Sequence, residues 1–278
     1  MTLPALLLAA LTGAAAPRVE VLPSRVRPGD AFLVRARHLG DPPPRGSAAG
    51  RDLSFFRVSG GFAAIGALPV ETPAGPLAIR VSARDGRALP GELEVAPADF
   101  PHRQLELEPR FVEPPTPTVE RRIAEDRAAF ARAYAQPPSP PLFARRFAWP
   151  RRDRVTAGFG EERILNGVKP SQHYGLDLAG RVGAPVVASN AGEVVMVRDC
   201  WASGRTVIVW HGAGIYTTYM HLSRALVRPG ARVARGQRLG QVGQTGRATG
   251  PHLHWSVRVG DLYVNPRSVL SLPIRIPR

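Results

Sequence analysis

The sequence predicts a mainly β protein of two domains joined by a short helical linker. A chain of 278 residues is long enough for about two domains that each bury a core. Glycine and proline are abundant, at 28 and 29 residues, which favours short strands joined by turns over long helices. Runs of alternating apolar and polar residues recur along the chain. No apolar run reaches the roughly 18 residues of a membrane helix, so no transmembrane segment is expected in the mature chain.

Residues 1–16 read as a secretory signal peptide, with an apolar stretch Leu3–Leu11 followed by small residues. No Lys or Arg precedes that stretch, and Pro17 disfavours a cut directly after Ala16, so a cut after Ala14 or Ala15 fits better. Export to the periplasm or cell envelope, or secretion, is the expectation. Cys200 is the single cysteine, which excludes an intramolecular disulfide.

Residues 17–108 contain the runs RVEVLP, DAFLVRAR, LSFFRVSG, FAAIGAL, PLAIRVSAR and ELEVA, separated by turn signals such as RPGD and DPPPRG. This pattern predicts an N-terminal β-sandwich of immunoglobulin-like type. His38 and His102 stand alone there and read as surface or linker residues. Residues 109–142 form a proline-punctuated linker in which 119–135 has helical spacing through Val119, Ile123, Phe130 and Tyr134. That helix is read either as a solvated spacer or as a docked element. Residues 143–278 form the second, antiparallel β domain.

The formal charge is +15, and of the 37 basic residues only Lys169 is lysine. Such a chain is drawn to anionic surfaces, among them acidic cell-wall polymers and lipid head groups. No zinc finger, RNA-binding aromatic pair or basic helix points to nucleic acid.

The second domain concentrates the chemistry. In PHLHWSV, strand alternation puts His252, His254 and Ser256 on one face and Leu253, Trp255 and Val257 on the other, with Trp255 expected in the core. In SQHYGLDLAG, His173 and Asp177 are four residues apart and share a face in extended geometry. YTTYMHLS is an alternating strand that ends near His221, and His211 in VWHGAG reads as structural. A catalytic zinc takes three protein ligands from His and carboxylate and keeps a fourth position open. His173, Asp177 and one histidine of the His-Leu-His pair meet that count, and spacing leaves open which one.

The segments FGEER, HYGLDLAG, YMHLS, VRPGARVARGQRLGQVGQTGRATGPHLHW and the closing VNP together resemble the lysostaphin/LytM-type zinc metallopeptidases, over roughly residues 150–270. The resemblance implies a LytM-type peptidase domain and one Zn2+ per chain. His173, Asp177 and His254 are then the ligands, and His252 and His221 the catalytic pair. It also implies an endopeptidase that hydrolyses the peptide cross-links of bacterial peptidoglycan with a zinc-activated water, and a monomer is the expected state. Stem peptides are the expected partners, with a regulatory protein as a further one.

Arg163 and Asn166, in a segment read as a loop, are expected substrate contacts. The glycines at 240, 243, 246 and 250 read as turn formers, since no phosphate-loop lysine follows. An alternative is a non-cleaving regulator or amidase activator of the same fold, although relatives of that kind usually lack metal ligands. A biotinyl- or lipoyl-type hairpin is the other alternative, and it lacks the lysine such a module would modify.

Overall fold

The computed structural model describes residues 15–276. The apolar stretch Leu3–Leu11 lies outside them. No helix among the described residues is long and apolar enough to cross a membrane.

The N-terminal region folds as two sheets around one core. The first carries Arg18–Leu22, Ala31–Arg37, Gly61–Ala67 and Phe56–Val58 in that spatial order. The second carries Arg25–Val26, Ala88–Val95, Gly75–Ser82, Arg45–Ala48 and Arg51–Asp52. Phe32, Val34, Phe62 and Ala64 of the first sheet meet Ile79, Val81, Leu89 and Leu93 of the second.

The other face of the first sheet is buried as well. Leu33, Ala63, Ile65 and Ala67 belong to a single apolar cluster with Val264, Val269, Leu272 and Ile274 of the C-terminal domain. This is why Gly61–Ala67 is apolar on both faces and buried at every residue, rather than alternating. Polar contacts reinforce the junction. Asn265 donates its backbone N–H to the Gly29 carbonyl and its side-chain amide to Asp30, at 2.7 and 3.0 Å. Arg35 donates to the Pro273 carbonyl at 2.6 Å. The two domains therefore share a core.

The linker is docked at both ends. Residues His102–Leu105, assigned by sequence to the first domain, pair in parallel with Glu162–Leu165 of the second. The helix Pro117–Tyr134 starts on an N-cap at Thr116 with proline in its first turn. Its Ala129, Ala133, Phe130 and Tyr134 pack on Met196, Ile208, Trp210 and Tyr216. Asp126 accepts from Arg198 Nε at 2.6 Å and from the Trp201 backbone at 2.7 Å. The helix is a docked element, not a solvated spacer.

The C-terminal domain is built on an antiparallel sheet whose central order is Val155–Ala157, Leu176–Ala179, His252–Val259, Ile215–Ala225, Gly204–Trp210 and Gly192–Cys200. Leu253, Trp255 and Val257 point into its core and are fully buried, which places His252 and His254 on the opposite face. His211 is buried, lies 2.7 Å from the Ala191 carbonyl and 2.8 Å from Thr217 Oγ1, and burial pushes its pKa down to about 4. It is a neutral core residue.

The segment read as a loop around Arg163 is a hairpin. Glu162–Leu165 pairs with Lys169–Gln172 across a turn in which Asn166 and Gly167 both have positive φ, 49° and 71°. Asn-Gly suits a turn with two left-handed residues, so the signal was present in the sequence.

Candidate metal centre

Sheet register assembles the site. Asp177 and His254 are directly opposed on neighbouring antiparallel strands, so their side chains emerge side by side on one face. His173 arrives from just beyond the hairpin strand Lys169–Gln172. His173 Nε2, Asp177 Oδ1 and His254 Nδ1 converge, with each pair 2.9 to 3.0 Å apart.

His221 reaches the site by a local break in the ladder. The pairing of its strand with Gly204–Trp210 shifts register around it, and its backbone sits at φ 60°. A bulge with a left-handed residue re-aims one side chain without disturbing the rest of the strand. His221 Nδ1 then lies 2.8 Å from the Thr245 carbonyl, and the His221 and His252 rings lie 4.9 Å apart. His252 Nδ1 lies 2.8 Å from the Gly250 carbonyl, and its Nε2 is 3.7 Å from Asp177 Oδ1.

The donor set fits a cation. His173 Nδ1 donates to the Gly158 carbonyl at 2.6 Å, which leaves Nε2 with its lone pair facing Asp177 and His254. A backbone carbonyl on the far ring nitrogen is what fixes the ligating tautomer of a histidine. Burial pulls against the charge of Asp177, yet its close contacts with His173 and His254 outweigh it and hold the carboxyl well below the usual range. Burial lowers His254 to about 4 and His221 to about 3, with neighbouring histidines adding to both shifts, so both rings are neutral at neutral pH. Two imidazoles and a carboxylate in this arrangement form one of the usual donor sets for zinc.

An ion-pair chain through the buried Glu161 backs Asp177. Arg163 donates through Nη2 to Asp177 Oδ2 at 3.0 Å and through Nε to the buried Glu161 at 2.7 Å. Arg103 of the linker strand lies 3.4 Å from the same Glu161. Oδ2 of Asp177 is thereby occupied and Oδ1 is left to the two histidines. Arg163, expected to touch substrate, therefore spends its charge on Asp177 while lining the groove. Asn166, also expected there, makes both of its amide hydrogen bonds to the Leu107 backbone, at 2.7 and 3.0 Å, and ties down the linker. Sequence reasoning missed Glu161 and Arg103, and for Arg103 no local signal existed, because its role depends on a pairing between distant segments.

The groove above these residues has a volume of about 460 Å³. Arg103, Leu105 and Leu107 form one wall, Arg247 to Pro251 another, and all five site residues line it. Among the described residues its lining includes Arg103, Leu105 and Leu107 but no residue of the two N-terminal sheets.

Gly175 is a close-approach glycine. A Cβ there would lie 2.6 Å from the His254 ring and 2.8 Å from the Trp255 carbonyl, and the carbonyl is backbone that cannot swing aside. Gly175→Ala is expected to displace His254 and weaken zinc affinity by about 10- to 100-fold, the range for disturbing a ligand's support. Competition titration with a chromogenic chelator measures this, and unchanged affinity would mean that the strand yields instead.

A His-Asp-His cluster at the base of a groove on an antiparallel sheet, with two further histidines beside it, defines a metallopeptidase-type centre. Residues 171–266 match peptidase family M23, and the C-terminal domain is an M23 peptidase domain. The chain is 41% identical over 125 residues to peptidoglycan DD-endopeptidase ShyA of Vibrio cholerae, an alignment covering 45% of this chain and 28% of that protein. It is 42% identical over 101 residues to the DD-carboxypeptidase/endopeptidase Mpg of Neisseria meningitidis, covering 36% of this chain and 23% of that one. The chain thus spans about a quarter of the length of these curated relatives. A crystal structure described as an M23 peptidase from Pseudomonas aeruginosa superposes with a TM-score of 0.65 at 29% identity, over 88% of this chain and 94% of that one. Its likeness extends across both domains.

Proposed function

We propose that this chain is an exported zinc-dependent endopeptidase that hydrolyses peptide cross-links of bacterial peptidoglycan. The observation that carries this is the convergence of His173, Asp177 and His254 within 4.8 Å of one another at the floor of a groove that His221 and His252 also line. The endopeptidase names of the relatives supply the substrate class. Export is supported by the apolar segment Leu3–Leu11, and a monomer with a regulatory partner remains part of the same proposal.

His173 Nε2, Asp177 Oδ1 and His254 Nδ1 would hold the zinc. Zinc bound there supplies a Lewis acid that polarises a carbonyl and lowers the pKa of a water to about 7. Arg163 holds Asp177 so that one carboxylate oxygen is presented. His252, with Nδ1 fixed on the Gly250 carbonyl, has Nε2 free to take the proton of the attacking water and pass it to the leaving amine. His221, with Nδ1 fixed on the Thr245 carbonyl, presents the lone pair of Nε2, which accepts a hydrogen bond from that water and orients it. The linker wall and the hairpin Glu162–Gln172 confine an extended peptide.

Digestion of purified peptidoglycan by zinc-loaded chain, with released fragments weighed by mass spectrometry, tests this reading. Conversion of cross-linked dimers to monomers with intact glycan is expected. Peptides released whole from the glycan would indicate amidase activity, and undigested sacculi would indicate the non-cleaving regulator.

A further inference from the structure

The groove holds three arginines, and two are already engaged. Arg163 bonds Glu161 and Asp177, and Arg103 pairs with Glu161 and donates to the Thr156 carbonyl at 3.3 Å. Arg247 lines the same groove and is partly buried. Its backbone N–H bonds the Ala202 carbonyl at 2.7 Å, but among the described residues its guanidinium meets no carboxylate or carbonyl. Burial and the nearby positive charge of Arg163 both press its pKa down. Asp177, the carboxylate that lines the same groove, is engaged by Arg163 and the histidines. A guanidinium that lines a groove without a protein partner is open to an anion that enters it.

The position of Arg247 indicates where that anion lies. The turn 245–250 supplies the Thr245 carbonyl that fixes His221 and the Gly250 carbonyl that fixes His252. Arg247 lies between those two anchors in the chain and lines the same groove as His221 and His252, so an anion bound on it shares the groove with the histidines proposed to handle the reacting bond. A guanidinium fork matches a carboxylate in plane and in spacing. Carboxylates are the anions that a peptide brings to a peptidase groove.

Resting on the hydrolase reading above, we propose that Arg247 forms a carboxylate subsite. It takes the free carboxylate of the peptide residue adjoining the scissile bond and so selects peptides that carry an uncapped acid at that place. The subsite differs in role from Arg163, which positions a metal ligand.

The test uses two synthetic cross-linked peptide dimers that differ at one group: the carboxylate on the residue that leaves with the scissile nitrogen, and the same group as a carboxamide. Zinc-loaded wild type is expected to prefer the acid by about tenfold or more in kcat/KM, carried mainly in KM, as for one charge-assisted hydrogen-bonded pair. In Arg247→Gln the ratio should fall towards one, and in Arg247→Lys part of it should return, with melting temperatures of all three compared to exclude misfolding. Equal cleavage of acid and amide by wild type, or a preference that survives in Arg247→Gln, overturns the proposal. If neither dimer is cleaved, the hydrolase reading fails, and calorimetric binding of both dimers to the zinc-loaded proteins decides the subsite by itself. Tighter binding of the acid by wild type and not by Arg247→Gln upholds it, and equal binding overturns it.

Discussion

His254→Ala is expected to lower zinc affinity by at least about a hundredfold and to abolish cleavage with it. Disturbing only the outer partners of a ligand costs 10- to 100-fold, so removing a ligand should cost more. The remaining pair is also poorly disposed to hold a dication alone, because Asp177 is half neutralised by Arg163 at 3.0 Å. The fold should survive, since the core side of the same strand is made by Leu253, Trp255 and Val257, which stay in place. Zinc content after dialysis, with the melting curve beside it, reads both parts. Full zinc occupancy in His254→Ala would assign the ligand elsewhere.

His252→Ala should do the opposite: keep one zinc per chain and lose turnover by roughly 10²- to 10⁴-fold, the span for losing a general acid or base. Its Nδ1 is committed to the Gly250 carbonyl, and its Nε2 stands 3.7 Å from Asp177, beside the three converging ligand atoms rather than among them. Loss of zinc in this variant would show that the two histidines of His-Leu-His had exchanged roles. The pair of variants is informative because a strand places both rings on one face, and only the cross-strand partner separates them. His254 is opposite Asp177, whereas His252 is opposite Ala179.

Asp177, His252 and His254 were legible because they sit in regular strands, where alternation fixes a face. That logic put His252 and His254 together, sent Trp255 to the core, and paired His173 with Asp177. It could not say which histidine binds metal, since that is decided by register with Leu176–Ala179, and the assignment came from the resemblance. It also missed what depends on contacts between distant segments. The linker strand His102–Leu105, the Arg103–Glu161–Arg163–Asp177 chain and the left-handed kink at His221 have no signature in local sequence.

The N-terminal region illustrates the same limit. FAAIGAL was read as one strand of a free sandwich, but its lack of a polar face was a sign that a second layer covered it. That layer is the end of the chain, through Val264, Val269, Leu272 and Ile274. Asn166 shows a signal overlooked: Asn-Gly is the mark of a hairpin turn, and the side chain expected to touch substrate bonds the Leu107 backbone instead.

The central claim is that one zinc on His173, Asp177 and His254 makes this chain a cell-wall peptidase. The most direct measurement strips the metal with a chelator, removes the chelator, and returns zinc in steps while both bound metal and cross-link cleavage in purified peptidoglycan are followed. The account predicts no cleavage from the stripped chain and activity that rises in proportion to occupancy, reaching its plateau at one zinc per chain. Cleavage by chain shown to be free of metal would contradict it.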